Sequence, residues 1–123
     1  QHCWHQAVRV RRANPGDADK PNQAINHASS AVRAAAAIAV MATATIPQLG
    51  FVHEDSSQAF ILDIADLCRD TATLRIAFGA VNDMASQDLS LERLVRRRAN
   101  ATFAETDLIP TMIEHIKQLL APA

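Results

Sequence analysis

A chain of 123 residues has room for one domain and too little for two ordinary ones. Hydrophobic residues make up 49 % and aromatics only 4 %, so much of the interior is alanine. That favours closely packed helices over a β-sandwich, whose strands draw on Val, Ile, Tyr and Phe. Twelve Lys and Arg against thirteen Asp and Glu give a formal charge of -1, which excludes bulk electrostatic capture of nucleic acid as the default and leaves room for a local basic patch.

Residues 1–21 read as an irregular lead-in or linker, broken at Pro15-Gly16 and Pro21. A single helical domain is expected over 22–121. Its first helix runs from about Asn22, an N-cap after Pro21, to Thr45, with Ile25, Ala28, Val32, Ala35, Ala36 and Ala39 at helical spacing. Ile46-Pro47 ends it, because the residue before proline avoids the α region. A second helix is expected over about Ser57 to Arg69, with Phe60, Ile61, Ile64, Leu67 and Cys68 inward. Asp63, Asp66 and Asp70 form a stripe beside that arc.

A third helix spans about Thr71 to Asn82. A fourth spans about Ser90 to Ala104, with Leu91, Leu94, Val95, Thr102 and Phe103 inward and Glu92 in its first turn. The fifth covers about Asp107 to Leu120. Thr106 or Asp107 caps it, Pro110 sits in the first turn, and Ile109, Met112, Ile113, Ile116, Leu119 and Leu120 form its stripe. The fold class is all-α: a compact bundle or array of about five helices, with no convincing sheet. No apolar run reaches the roughly 18 residues of a membrane span. Cys3 and Cys68 make neither a metal motif nor a disulfide framework, which points to a reducing cytoplasm.

Chemistry concentrates in His53 and in the pair Asp63 and Asp66, three apart on one helix face. An acid at the edge of a core is costly unless it is paired, capping or bound to a cation. Spacing alone leaves solvated surface acids as the plainer reading, and His53 as a loop or packing residue. Carboxylates with one imidazole would suit Mg²⁺ or Mn²⁺. On the fourth helix Arg93, Arg96 and Arg97 share a face beside Arg98. They could meet DNA phosphates, or simply form a solvated face.

The stretch Gly50-Phe51-Val52-His53, followed by Phe60 and by Asp63-Ile64-Ala65-Asp66-Leu67, resembles the active-site segment of the CRISPR adaptation integrase, in its subtype I-E branch. The likeness extends from Arg11-Arg12 through Leu74–Phe78 and Leu91–Arg98 to Thr106–Leu120, the C-terminal part of that protein. It implies His53 and Asp66 as metal ligands, Asp63 as a catalytic acid in the same pocket, and Mg or Mn as cofactor. It implies attack of a DNA 3′-hydroxyl on a phosphodiester and hydrolysis of branched DNA, with Arg69 close to the DNA. The family's third ligand is a glutamate on an upstream helix, whereas this chain has no glutamate before Glu54. Glu54-Asp55 follow His53 in place of a small residue and glycine, Leu62 stands for an aromatic, Arg33 for another aromatic and Arg75 for a proline.

The functional expectation is therefore a truncated or orphan relative. It would hold an incomplete divalent-metal site, associate with DNA or be vestigial, and lack catalytic competence alone. The alternatives are an active endonuclease or integrase completed by another segment or chain, and a fold-retaining interaction module. Expected partners are DNA and a second copy, held through surface left bare without the family's N-terminal domain. No membrane is expected, and no contact surface for the family's small adaptation subunit is recognisable.

Overall fold

The computed structural model describes residues 15–44 and 54–120, with side chains described for 19–44 and 58–120. Among the described residues there are five α-helices and no strand: α1 (Pro15–Ala44), α2 (Glu54–Leu67), α3 (Leu74–Asp83), α4 (Leu91–Thr106) and α5 (Leu108–Leu120). A π-helical segment, Arg69–Thr73, joins α2 to α3. The all-α expectation holds.

Helix α1 is the central element and packs against each of the other four. Its buried side chains are Pro21, Ala24, Ala28, Val32, Ala35, Ala36, Ala39, Val40 and Thr43, nearly all small. Small residues let neighbouring backbones come close, so one helix can serve several partners. Thr43 is fully buried, and its hydroxyl donates to the Val40 carbonyl at 2.8 Å, so it is not left unpaired in the core. Around α1 close Ile64 and Ala65 from α2, Cys68 just after it, Ile76, Ala77 and Ala80 from α3, Leu91, Leu94, Val95 and Ala99 from α4, and Leu108, Met112 and Ile116 from α5. Each fully buried Leu or Ile contributes about 1.5–3 kcal/mol. Burial also pushes the Cys68 thiol above its ordinary pKa, which leaves it a packing residue.

Several boundaries differ from the sequence reading. Helix α1 begins at Pro15, so residues 15–21 are helical rather than irregular, and Asn22 is interior rather than an N-cap. Pro15 takes the first helical position, where a missing N–H costs nothing. Pro21 lies inside the helix and is buried, so packing outweighs the one backbone hydrogen bond it removes. Helix α2 begins at Glu54, ahead of the expected Ser57, and ends at Leu67. Leu67 is 60 % exposed although it falls on the expected inward arc, because the chain leaves α2 there and turns into the π segment. Leu119, also expected inward, is exposed in the last turn of α5.

The π segment is defined by the Thr73 N–H reaching the Cys68 carbonyl at 3.3 Å and the Leu74 N–H bonding to the Arg69 carbonyl, each five residues back. It keeps Cys68, Ala72, Thr73, Ile76 and Ala77 buried in sequence while Arg69 and Asp70 stay exposed. Farther on, Ser90 caps α4 by accepting from the Arg93 N–H at 3.3 Å. Asp107 closes α4 in the left-handed region (φ 52°), and its carbonyl accepts the Thr111 N–H at 3.0 Å inside α5. One residue thus ends one helix and starts the next, which explains why a cap signal falls there.

Candidate functional site

Two of the expected site residues come together. Asp66, in the last full turn of α2, and Arg69, the first residue of the π segment, line a cleft of about 240 Å³ between α1 and α2. Asn26, Ser29 and Arg33 of α1 form its opposite wall, with Leu62, Ala65 and Thr73 completing it. The wall on α1 follows from sequence spacing: Asn26, Ser29 and Arg33 recur at i, i+3 and i+7, a polar stripe along an otherwise alanine-rich helix. In the sequence Arg33 stands out only as a departure from an aromatic. Its place across the cleft from Arg69 depends on how two helices pack.

Asp63 lies exposed on α2 one turn before Asp66 and is not part of the cleft wall. His53 lies outside the described residues. Among the described residues, no group of three or more His, Cys, Asp or Glu could hold a metal ion. A small divalent cation prefers six oxygen donors with little charge opposition. The described cleft offers one carboxylate, Asp66, against two guanidiniums, so these residues alone do not fit Mg²⁺ or Mn²⁺.

The fourth-helix arginines are exposed, as their spacing suggests. Arg93, Arg96 and Arg97 line one shallow concavity of about 320 Å³ with Leu89 and Asn100. Arg96 donates to Glu92 at 3.0 Å and Arg97 to Gln87 at 2.7 Å, which fixes both forks without burying them. Arg93 makes no side-chain hydrogen bond or ion pair among the described residues. Arg98 behaves differently. Its Nε and Nη2 donate to the two carboxylate oxygens of Asp83 at 2.7 and 2.8 Å, clamping α4 to the end of α3. That hydrogen bond, together with the positive charge of Arg98 and Arg97, holds the Asp83 carboxyl below its ordinary pKa against a smaller opposing effect of burial. No helix among the described residues is long and apolar enough to cross a membrane.

A small all-helical domain, with an acid-and-arginine cleft on one side and an arginine face on α4, has close relatives in sequence. It is 32 % identical over 113 residues to CRISPR-associated endonuclease Cas1 3 of Methanospirillum hungatei, which covers 89 % of this chain and 37 % of that protein. It is 32 % identical over 108 residues to CRISPR-associated endonuclease Cas1 2 of Thermus thermophilus (88 % of this chain, 32 % of the relative). It is 28 % identical over 114 residues to CRISPR-associated endonuclease Cas1 of Escherichia coli (90 % and 36 %). The chain is a Cas1-like C-terminal domain. It spans about a third of the length of the curated relatives it matches, and none of their names distinguishes a subtype. No family model and no solved structure matches it.

Proposed function

We propose that this domain associates with DNA as the helical part of a Cas1-type protein, and that its own residues fall short of the divalent-metal centre such an endonuclease would use. The observation that supports DNA association is the α4 face. Three exposed arginines converge on one concavity, and two of them are held in place by neutral or partly offsetting partners on the same side. Oriented guanidiniums on a rigid helix suit phosphate oxygens and carry no base specificity. The chain's near-zero net charge confines the attraction to that patch.

Fluorescence anisotropy on a labelled branched DNA, repeated between about 50 and 200 mM salt, tests the reading. Wild type is expected to bind with affinity falling steeply as salt rises. The triple variant Arg93→Ala, Arg96→Ala, Arg97→Ala is expected to flatten the log–log slope by about three units, near 0.9 for each phosphate left without its arginine. An unchanged slope would take this face out of the DNA interface.

The competing reading is an active endonuclease or integrase whose remaining ligands come from another segment or chain. The position of Asp66 on the wall of an open cleft favours it. In a gel assay with Mn²⁺ and branched DNA, the domain by itself is expected to leave the substrate intact. Cleavage that disappears in Asp66→Ala would establish the active reading instead.

A further inference from the structure

We propose that the groove between α1 and α4 holds one unpaired nucleobase of a DNA strand whose phosphates lie on the neighbouring arginine face. The inference rests on the DNA reading of α4 and adds what that reading leaves open, the contact made with the bases.

The groove and the arginine concavity are separate hollows with one shared edge. The groove has a volume of about 310 Å³. That is at the lower end of the roughly 300–1,000 Å³ of small-molecule sites. Much of its lining is apolar: Ala31 and Ala34 of α1 lie opposite Val95 and Ala99 of α4. Short side chains at these positions leave a trough that longer ones would close. Two aromatic rings complete the lining, an exposed His27 on α1 and a half-buried Phe103 on α4. Arg96 and Asn100 line both hollows and so mark the edge between them.

The two hollows differ as the two ends of a nucleotide differ. The concavity presents arginines and no acid. The groove contains one acid, Glu92, bonded to Arg96 at 3.0 Å, so the charges there offset and a phosphate is better placed on Arg93 and Arg97. An apolar trough with rings suits the face of a base, a contact that every base can make. Its polar rim is unengaged: neither the His27 imidazole nor the Asn100 carboxamide makes a hydrogen bond or ion pair among the described residues. An amide with a spare donor and a spare acceptor matches a base edge. Within a duplex the faces of a base are covered by its neighbours, so only a base outside the stack can enter. A single strand, a branch point or a frayed end supplies one.

Fluorescence anisotropy with a labelled single strand and an abasic strand of equal length tests the groove, since the two carry the same phosphates and differ only in bases. Wild type is expected to bind the intact strand about tenfold more tightly, the effect of one stacked base. Ala34→Leu, at an exposed helical position, is expected to fold, fill the trough and bring the intact strand down to the abasic affinity with an unchanged salt slope. Ser30→Leu, exposed on α1 and outside the groove lining, is expected to behave as wild type. The pair Arg93→Ala and Arg97→Ala, neither of which lines the groove, is expected to weaken both strands and flatten the slope by about 1.4 units, near 0.7 per phosphate on a single strand, while keeping the preference for bases. Equal affinities of wild type for the two strands would overturn the groove and leave the arginine face standing if the slope still depends on Arg93 and Arg97. A preference that survives Ala34→Leu, or that Ser30→Leu also abolishes, would overturn the groove as well. A preference lost in Ala34→Leu, with a slope indifferent to Arg93 and Arg97, would uphold the groove and remove the arginine face. No binding of either strand would overturn both.

Discussion

Ile76→Ala is expected to destabilise the domain by about 2–5 kcal/mol, a large share of the roughly 5–15 kcal/mol that holds a domain folded. Ile76 is fully buried on α3, the helix wedged against both α1 and α4. Removing its three outer carbons costs their transfer free energy and leaves a cavity. The cost should fall toward the upper end of that range because many of the core residues on α1 and α3, Ala35, Ala36, Ala39, Ala77 and Ala80 among them, are alanines. An alanine has no rotamer with which to move into a void, so the cavity cannot be refilled by side-chain adjustment. Urea denaturation followed by far-UV circular dichroism should show a lower midpoint with an unchanged slope. Leu67→Ala provides the control: that side chain is 60 % exposed, and the change should fall within about 0.5 kcal/mol. A loss at Leu67 equal to that at Ile76 would mean the end of α2 is more deeply covered than the fold indicates.

Much of this architecture is legible in the sequence because helical periodicity is a local property. The stripes of α4 and α5 can be read from spacing, and Leu91, Leu94, Val95, Met112 and Ile116 are buried as that spacing requires. The errors occur where tertiary packing overrides a local signal. Pro21 reads as a breaker, yet it is buried inside α1, and nothing in the sequence shows the neighbours that compensate for its missing donor. The junction of α2 and α3 reads as two helices meeting near Asp70. The π segment there depends on carbonyls five residues back, a pattern with no compositional mark.

The same division applies to the candidate site. Asp66 and Arg69 are legible as neighbours because residues three apart on one helical path share a face. Arg33 is not legible as their counterpart, since only the packing of α1 on α2 brings it across the cleft. Arg98 adjoins a basic cluster in sequence, and its role is instead structural, fixed by an acid fifteen residues away. Charge type is readable from the chain, while charge partnership is not.

Gly79→Ala is expected to change stability little in the wild type and to add about 1 kcal/mol in an Arg98→Ala background. Glycine inside a helix costs about 1 kcal/mol relative to alanine, so α3 carries a standing penalty at this position. The reason is visible across the interface: a Cβ on Gly79 would lie 2.9 Å from both Cδ and Nε of Arg98. Without that atom, Arg98 lies across α3 and reaches both oxygens of Asp83. With it, the arginine must shift and the two-pronged bond is lost or bent. The pair is worth on the order of 1 kcal/mol, since Arg98 is 46 % exposed and water screens it even though Asp83 is only 19 % exposed. The propensity gain and the lost clamp then cancel, and a double-mutant cycle should return a coupling of about 1 kcal/mol. The sign with pH is fixed as well. Arg98 depresses the folded-state pKa of Asp83, so the stabilisation is complete above the ordinary aspartate value near pH ~4 and disappears as pH falls through the lower folded value. The stability difference between wild type and Arg98→Ala should therefore hold at neutral pH and narrow below about pH 4. A difference that persists undiminished in acid would mean that Arg98 stabilises by packing its stem on Gly79 rather than by its bond to Asp83.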